Sequence, residues 1–401
     1  MKLGLIETTA LASLLLFFGY RARAAIPILH RLNIPAPVIG GLTMSVIVLV
    51  HRALASSPLE FDTTLQRPLM IAFFTSIGFG ASYRLLRVGG PQVLVFLLAC
   101  SVLAILQCVL GAGVAMAFGL PPLFGTLTGA VTLAGGPATG MAFAPLFEEA
   151  GIAGAGSIAL ATAMAGIVLG SILGAPLATY LVERLRLRAG QSNAPHGPLQ
   201  PIATPGEQSP SPSQDRAYAA LKSLTLMLVA MWLGSGISSL IERAEVTMPA
   251  YIGALIVGAV MRNLDDATGW LKLPHRSIDT IGTVALSLFL AMALMTLNLL
   301  ELTGLAWPLL LNLVLQAALV ALVCIGLIFK FMGKDYDAAV MSGGFVGIML
   351  GTTANAMAVM HSVVERYGIA PRAFLVVPIV GGFFIDFTNA LIITLSVNVL
   401  R

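Results

Sequence analysis

An acidic residue inside a long apolar segment is the feature of this chain with the clearest chemical meaning. Asp386 lies in the segment 381–391, where Thr388 and Asn389 supply further oxygen atoms. A carboxylate at bilayer depth costs at least about 2.5–3.5 kcal/mol on insertion scales, so it normally has a partner. Asn389 follows three residues later and shares a helix face with Asp386. The group suits a sodium ion or the ammonium group of a substrate, and a structural hydrogen-bond cluster between helices is the alternative.

Two stretches rich in glycine and hydroxyl residues, 134–142 and 350–358, occupy matching places in the two halves of the chain. The residues of interest there, with one preceding threonine, are Thr132, Gly135, Gly136, Thr139, Gly140, Gly351, Thr352, Thr353 and Asn355. Pro137 and the double glycine disfavour an unbroken helix. Broken backbone at membrane depth is tolerated where it lines a cavity, and paired breaks mark the substrate site of a secondary transporter. We therefore predict that these residues surround an anionic solute, with close helix packing as the alternative.

A second pair of polar residues, Gln107 and Gln316, lies in the fourth apolar segment of each half. Such amides either join helices by hydrogen bonds or contribute ligands to a site. We predict sodium ligands among Asp386, Asn389, Gln107 and Gln316, and no other metal site.

The composition identifies the kind of molecule that must position these residues. The 401 residues are 58% hydrophobic and only 10% charged, with a mean hydropathy of +0.94. Soluble domains carry roughly 25% charged residues, so this is a polytopic membrane protein. The sequence contains no nucleotide-binding P-loop, no paired intramembrane carboxylates and no histidines at metal-ligand spacing. These observations argue against ATP-driven transport, enzymatic catalysis, a cofactor and a nucleic acid partner.

Twelve apolar segments are long enough to enter or cross a bilayer as helices. We place them at 3–20, 34–50, 68–86, 91–118, 123–147, 152–182, 218–241, 249–263, 280–299, 306–331, 338–363 and 372–400. Between the sixth and seventh lies a stretch rich in Pro, Ser, Gly and Gln, which is typical of a flexible linker. The expected organisation is a first repeat over 1–183, a flexible cytoplasmic linker over 184–217 and a second repeat over 218–401.

The Lys and Arg residues indicate how the two repeats are oriented. If 123–147 and 338–363 are re-entrant, each half has five crossings and both termini lie outside. This arrangement leaves outside, of the 22 Lys and Arg residues, only Lys2, Arg52, Arg67, Arg243 and Arg401. The positive-inside rule therefore favours an all-α fold of two inverted repeats of five transmembrane helices, each with a re-entrant or broken-helix hairpin.

Several stretches together resemble the bacterial glutamate:sodium symporter family nearly from end to end. They are 35–42, 67–78, 287–294, 332–340, 374–378 and 389–391. The resemblance implies sodium-coupled transport of glutamate in the bacterial inner membrane, by a homodimer of two inverted repeats whose re-entrant loops meet near the midplane. It also implies an elevator-like movement of a core domain against a scaffold.

The two loops depart from the pattern of this family. Pro137 stands where the family has a histidine, and the proline of the family's second loop is missing beside Thr352 and Thr353. Glutamate or a closely related anionic amino acid is the leading substrate. The alternatives are another small organic anion such as a dicarboxylate, coupled to sodium or protons, and, from another class, a channel or a structural membrane subunit.

Overall fold

A computed structural model describes residues 2–54, 59–88, 90–189, 213–242, 249, 251–297 and 304–400. The described chain is almost entirely helical, as the sequence predicts. Its helices are α1 (Leu5–Ala25), α2 (Pro27–Arg31), α3 (Ala36–Leu54), α4 (Gln66–Gly80), α5 (Tyr83–Val88), α6 (Gly90–Ala117), α7 (Pro122–Thr126), α8 (Gly136–Glu149), α9 (Ala155–Arg184), α10 (Ser213–Glu242), α11 (Tyr251–Thr268), α12 (His275–Met295), α13 (Ala306–Val323), α14 (Phe329–Phe331), α15 (Tyr336–Met349), α16 (Thr353–Tyr367), α17 (Pro371–Ile379) and α18 (Ile385–Leu400). Within the predicted linker, residues 190–212 lie outside the described part of the chain.

Seven helical stretches in the described residues are long and apolar enough to cross a membrane. They are Leu5–Ala25, Gly90–Ala117, Ala155–Arg184, Ala217–Ile241, His275–Met295, Ala306–Phe331 and Ala373–Leu400. The last two contain wide π-helical turns, Cys324–Ile328 and Val380–Phe384. The chain is thus a multi-pass membrane protein.

Three local features differ from the predicted segments. Segment 68–86 is not one helix, because α4 ends at Gly80 and α5 starts at Tyr83, whose backbone N–H donates to Asn263 Oδ1 at 2.7 Å. Helix α1 continues past residue 20 to Ala25, through Arg21 and Arg23. Two short strands, β1 (Lys2–Leu3) and β2 (Glu60–Phe61), pair in parallel and were not predicted.

The helices pack into two groups. In the first, α4 packs on α11 and α12, α10 packs on α11, and α1 packs on α3 and α12. We call this group (α1, α3, α4, α10, α11 and α12) the α4 bundle. In the second, which comprises α6–α9 and α13–α18 and which we call the hairpin bundle, α9 packs on α8, α15 and α16, and α6 packs on α7, α13 and α18. The two groups meet along α8 and α12 and where α4 contacts the turn Val380–Phe384.

Close helix crossings in the α4 bundle depend on glycine at matching positions of the two halves. A side chain at Gly40 of α3 would collide with the backbone of Leu15 in α1, and one at Gly253 of α11 would collide with the backbone of Gly234 in α10. Small residues let helix backbones approach closely in a membrane. Gly40 and Gly253 thus make equivalent crossings between the first two long helices of each half.

Candidate functional site

The first predicted break separates α7 from α8. Helix α7 runs into a π-helical turn, Leu127–Val131, in which Gly129 has the non-helical angles φ −105° and ψ −121°. Helix α8 starts at Gly136, whose φ of +67° is a conformation that favours glycine. Pro137 follows in the first turn of α8, where its missing N–H has no helical partner to lose. The predicted 123–147 segment is therefore two helical pieces joined by an irregular tip.

The second predicted break separates α15 from α16. Helix α15 ends at Met349, and Thr352 caps α16 in an extended conformation with φ −145° and ψ 167°. The Thr352 hydroxyl accepts a hydrogen bond from the backbone N–H of Asn355 at 3.3 Å. A threonine in this role satisfies one of the free N–H groups at the start of a helix. The 338–363 segment is thus also broken, without a proline.

An ion pair holds the base of this second hairpin. Asp335 caps α15 by accepting from the Ala338 N–H at 2.9 Å, and its Oδ1 also lies 2.5 Å from Arg372 Nη2 at the start of α17. Asp337 accepts from the backbone N–H of Arg372 at 2.9 Å. The start of α15 is therefore fixed to the helix that leads toward Asp386.

The tips of the two hairpins meet. A Cβ atom placed on Gly136 would lie 3.2 Å from Thr352 Cγ2 and 3.4 Å from the Gly351 carbonyl oxygen. The side chain of Thr353 also bonds to the Gly381 carbonyl, which belongs to the turn just before Asp386. The two breaks and the turn preceding Asp386 therefore form one contiguous surface.

A cavity of about 370 Å³ adjoins this surface. On the side of the hairpin bundle its wall includes Gly135, Pro137, Gly351, Thr352, Thr353 and Asp386. On the side of the α4 bundle it includes Tyr20, Arg23, Pro35, Phe73, Ser287 and Leu290. The cavity therefore lies between the two bundles, and its wall carries one carboxylate and one guanidinium.

Five of the predicted solute-binding residues line the cavity, namely Gly135, Gly351, Thr352, Thr353 and Asp386. Gly136 forms the contact between the tips instead. Thr132, Thr139 and Gly140 do not line the cavity: Thr132 Oγ1 donates to the Leu127 carbonyl at 2.9 Å, and a Cβ on Gly140 would face Ala159 of α9. Thr139 and Gly140 lie in the first turns of α8, and Thr132 directly follows the turn Leu127–Val131, so all three pack within the hairpin bundle.

Asn355, a further predicted solute-binding residue, joins the second hairpin to α9. Its Nδ2 donates to the Ile167 carbonyl at 3.2 Å, and its Oδ1 accepts from Ser171 Oγ at 2.6 Å, so two bonds tie α16 to α9. The same Oδ1 accepts from Asn33 Nδ2 at 3.4 Å. Asn33 lies between α2 and α3, so this hydrogen bond connects the α4 bundle to the second hairpin.

The predicted sodium ligands separate into two places. Asp386 lines the cavity, whereas Gln107, Gln316 and Asn389 are buried behind the breaks. Gln107 Nε2 donates to the Met349 carbonyl at 3.0 Å and Gln316 Nε2 to the Gln107 carbonyl at 2.8 Å. Asn389 Nδ2 donates to the Ala130 carbonyl at 3.1 Å. The Asn389 and Gln107 amides thus hold the first and the second hairpin, each at its interruption, and the Gln316 amide is bonded to the backbone of Gln107.

The side-chain oxygens of these three amides differ from the nitrogens in their hydrogen bonding. Gln107 Oε1, Gln316 Oε1 and Asn389 Oδ1 are inaccessible to solvent and have no hydrogen-bond partner among the described residues. Buried polar atoms nearly always have a partner, and three exceptions around one feature call for an explanation. Amide oxygens are hard ligands of the kind that alkali and alkaline-earth cations take. The chemistry of these three oxygens fits a sodium ion.

Sequence reasoning missed the residues that the α4 bundle contributes. Arg23 was assigned to a loop, but it lies in the last turn of α1 and lines the cavity. Ser287 and Phe73 occupy apolar stretches and carry no signal that separates them from ordinary helix packing. The only available sign was a basic residue directly after an apolar segment, which the positive-inside rule already explains.

Comparison with known proteins adds the family. The profile of the family described as "Sodium/glutamate symporter" matches residues 1–369. A protein of Escherichia coli (strain K12) named "Sodium/glutamate symporter" is 38% identical over 393 residues, which cover 97% of this chain and 96% of that protein. One of the same name from Haemophilus influenzae is 37% identical over 399 residues, 98% of this chain and 97% of that protein. With this full-length similarity and two broken helices meeting at a cavity, the chain belongs to the sodium/glutamate symporter family.

Proposed function

We propose that this protein is a secondary active transporter that couples the movement of glutamate, or a closely related anionic amino acid, to sodium. The observation that carries the proposal is the cavity at which the tips of the two hairpins and Asp386 come together. Helix breaks at membrane depth are tolerated where they line such a cavity. The names of the relatives agree with this substrate and this ion. A sodium gradient supplies the driving force, so no cofactor is needed.

The hairpin tips offer binding groups for a carboxylate. Gly135 and Thr352, which directly precede α8 and α16, both line the cavity. Free N–H groups and the helix dipole make a helix N-terminus favourable for an anion. The Thr353 side chain, which also lines the cavity, adds to the polar wall. These groups bind the α-carboxylate of the solute.

Asp386 favours an amino acid over a simple dicarboxylate. It is the only acidic side chain that lines the cavity among the described residues. A carboxylate attracts the ammonium group of an amino acid and repels a solute with negative charges only. The dicarboxylate alternative is therefore the weaker one for this site.

Sodium binds behind the breaks, at Gln107, Gln316 and Asn389. The support for this assignment is the set of three buried amide oxygens without partners. Because two of these amides, Asn389 and Gln107, donate to the carbonyls of Ala130 and Met349, a bound ion stabilises the breaks beside which the solute binds. Binding of one ligand then lowers the cost of ordering the site for the other, which is the basis of coupling.

The architecture we propose is that of two inverted repeats with re-entrant hairpins, assembled as a homodimer in the bacterial inner membrane with both termini periplasmic. The two-repeat organisation is supported by three matched pairs in the two halves: the glycine crossings at Gly40 and Gly253, the amides Gln107 and Gln316, and the two helix breaks. The cavity wall is shared by the two bundles. Alternating access follows if the hairpin bundle moves past the α4 bundle like an elevator and carries the solute with it.

Uptake into proteoliposomes tests this function. We expect accumulation of labelled glutamate with an inward sodium gradient, and loss of accumulation when potassium replaces sodium. Excess unlabelled glutamate outside should release the label by counterflow, which a channel does not support. Uptake that is unchanged without sodium, or stronger competition by succinate than by aspartate, would refute the assigned coupling or the assigned solute class respectively.

A further inference from the structure

Arg23 is the only basic side chain that lines the cavity among the described residues. It lies in the last turn of α1 and is half-buried. Its Nε atom is inaccessible to solvent and has no hydrogen-bond partner in the part of the chain that the structure describes. None of the ion pairs formed by the described residues includes it. An N–H donor of a guanidinium that is shielded from water and unpaired favours an anionic partner, and the opening of this side chain onto the cavity points to an anionic group of the ligand.

The positions of Arg23 and Asp386 decide which anionic group that is. Arg23 belongs to the α4 bundle, whereas Asp386 and the hairpin tips belong to the hairpin bundle, and both charges line the same cavity. In an amino acid the ammonium and α-carboxylate groups share one carbon atom. An ammonium group at Asp386 therefore keeps the α-carboxylate beside the hairpin tips, and the side-chain carboxylate is left for the opposite wall.

We propose that Arg23 binds the side-chain carboxylate of the transported amino acid and thereby sets the preference for an acidic side chain over its amide. The inference rests on the proposed function. A planar guanidinium presents paired N–H donors that match the two oxygens of a carboxylate, and a carboxamide offers only one such oxygen. Arg23 is thus a specificity-determining residue, separate from the hairpin groups that bind the α-carbon end.

The test compares glutamate with glutamine in three variants. Arg23→Gln removes the charge, Arg23→Lys keeps the charge without the paired donors, and Arg21→Gln is a control on an exposed residue of the same helix. In proteoliposomes at saturating sodium, Arg23→Gln should raise the KM for glutamate about 10- to 100-fold and change the inhibition constant of glutamine less than twofold. Arg23→Lys should lie between Arg23→Gln and the parent protein, and Arg21→Gln should match the parent. Equal weakening of both solutes, or no change in their ratio, would overturn the proposal.

A binding measurement separates this proposal from the transport function. In detergent, glutamate should raise the thermal unfolding midpoint of the parent protein, and this shift should be lost in Arg23→Gln but not in Arg21→Gln. The shift caused by sodium alone should remain in Arg23→Gln, which shows that the variant is folded. If glutamate stabilises the parent through Arg23 while uptake proves independent of sodium, the proposed coupling fails and Arg23 keeps its role. If it stabilises Arg23→Gln as much as the parent, the role of Arg23 fails alone.

Discussion

At the residue scale, two nearby side chains of α18 contact different parts of the structure. Asp386 lines the cavity, and Asn389, three residues later, bonds to Ala130 behind the first break. Their spacing places them on one helix face, but the two side chains reach different partners along that face. A solute group and an ion can therefore be held about one helical turn apart.

Asp386→Asn should weaken solute binding without removing the sodium site. The substitution keeps the volume but removes the charge that attracts an ammonium group. A hydrogen bond to a charged group contributes about 1.5–3 kcal/mol, so we expect the KM for glutamate to rise at least about tenfold. Glu149→Gln, at the exposed end of α8, is the matched control and should behave like the parent. A KM within twofold of the parent would contradict the role of Asp386.

Gln316→Met should weaken sodium binding. It removes one of the three buried oxygens without partners and keeps a side chain of similar length. We expect the sodium concentration for half-maximal uptake to rise severalfold, while the KM for glutamate at saturating sodium changes little. Thr162→Val is the control, because the Thr162 hydroxyl is buried but already bonds within α9. Equal sodium dependence in the two variants would refute the sodium assignment.

Sequence reasoning singles out residues whose polarity differs from that of their surroundings. Asp386, Gln107 and Gln316 are isolated polar groups in apolar segments, and such groups are costly unless they have a task. Arg23 was missed because a basic residue at the end of a membrane segment has an ordinary explanation. The side on which Thr139 and Asn355 lie depends on the packing of α9 against α8 and α16, which a single sequence does not reveal.

At the element scale, the two hairpins are interrupted in different ways. The first uses the left-handed conformation of Gly136 followed by Pro137, and the second uses the cap of Thr352. The double glycine and the proline made the first break predictable. The second was predicted mainly because it matches the first in position. The division of segment 68–86 depends on a distant partner, Asn263, and was therefore not predictable.

Gly136→Ala should impair transport more than stability. Alanine in a left-handed conformation costs about 1–2 kcal/mol, and its Cβ would lie 3.2 Å from Thr352 Cγ2, so the tips must shift. We expect the maximal uptake rate to fall several-fold, with a small decrease in the thermal unfolding midpoint. Gly113→Ala, where a Cβ meets nothing within 4 Å, is the control and should change neither quantity. An unchanged rate in Gly136→Ala would argue against a role for tip contact in transport.

At the scale of the whole molecule, the site belongs to neither bundle alone. The α4 bundle is joined by helix crossings around Gly40 and Gly253, and the hairpin bundle is organised around α6 and α9. The composition and the repeated motifs were sufficient to predict a helical membrane protein with two broken hairpins. The grouping of the helices depends on contacts between distant parts of the chain, so it becomes visible only in the structure.

A cross-link between the bundles should stop transport reversibly. Asn33 contacts Asn355 across the two bundles, so a double substitution, Asn33→Cys with Ala354→Cys at the exposed neighbour of Asn355, allows a thiol-specific cross-linker to join the bundles. Glu183→Cys with Arg366→Cys is the control, since this ion pair at 3.1 Å lies within the hairpin bundle. The three native cysteines are buried and should react slowly. We expect uptake to vanish only in the first pair and to return on reduction, whereas unaffected uptake in both pairs would exclude movement between the bundles.

A cavity enclosed by two separate bodies also explains how a compound could bind tightly and still never cross the membrane. In the proposed elevator movement, a ligand that fits the cavity while the hairpin bundle moves past the α4 bundle is transported. A bulkier analogue that keeps the charged groups but also contacts Phe73 and Leu290 would bind in the cavity and block this movement. Enlarging an acidic amino acid at its side chain should thus turn a transported molecule into a blocker well before it abolishes affinity.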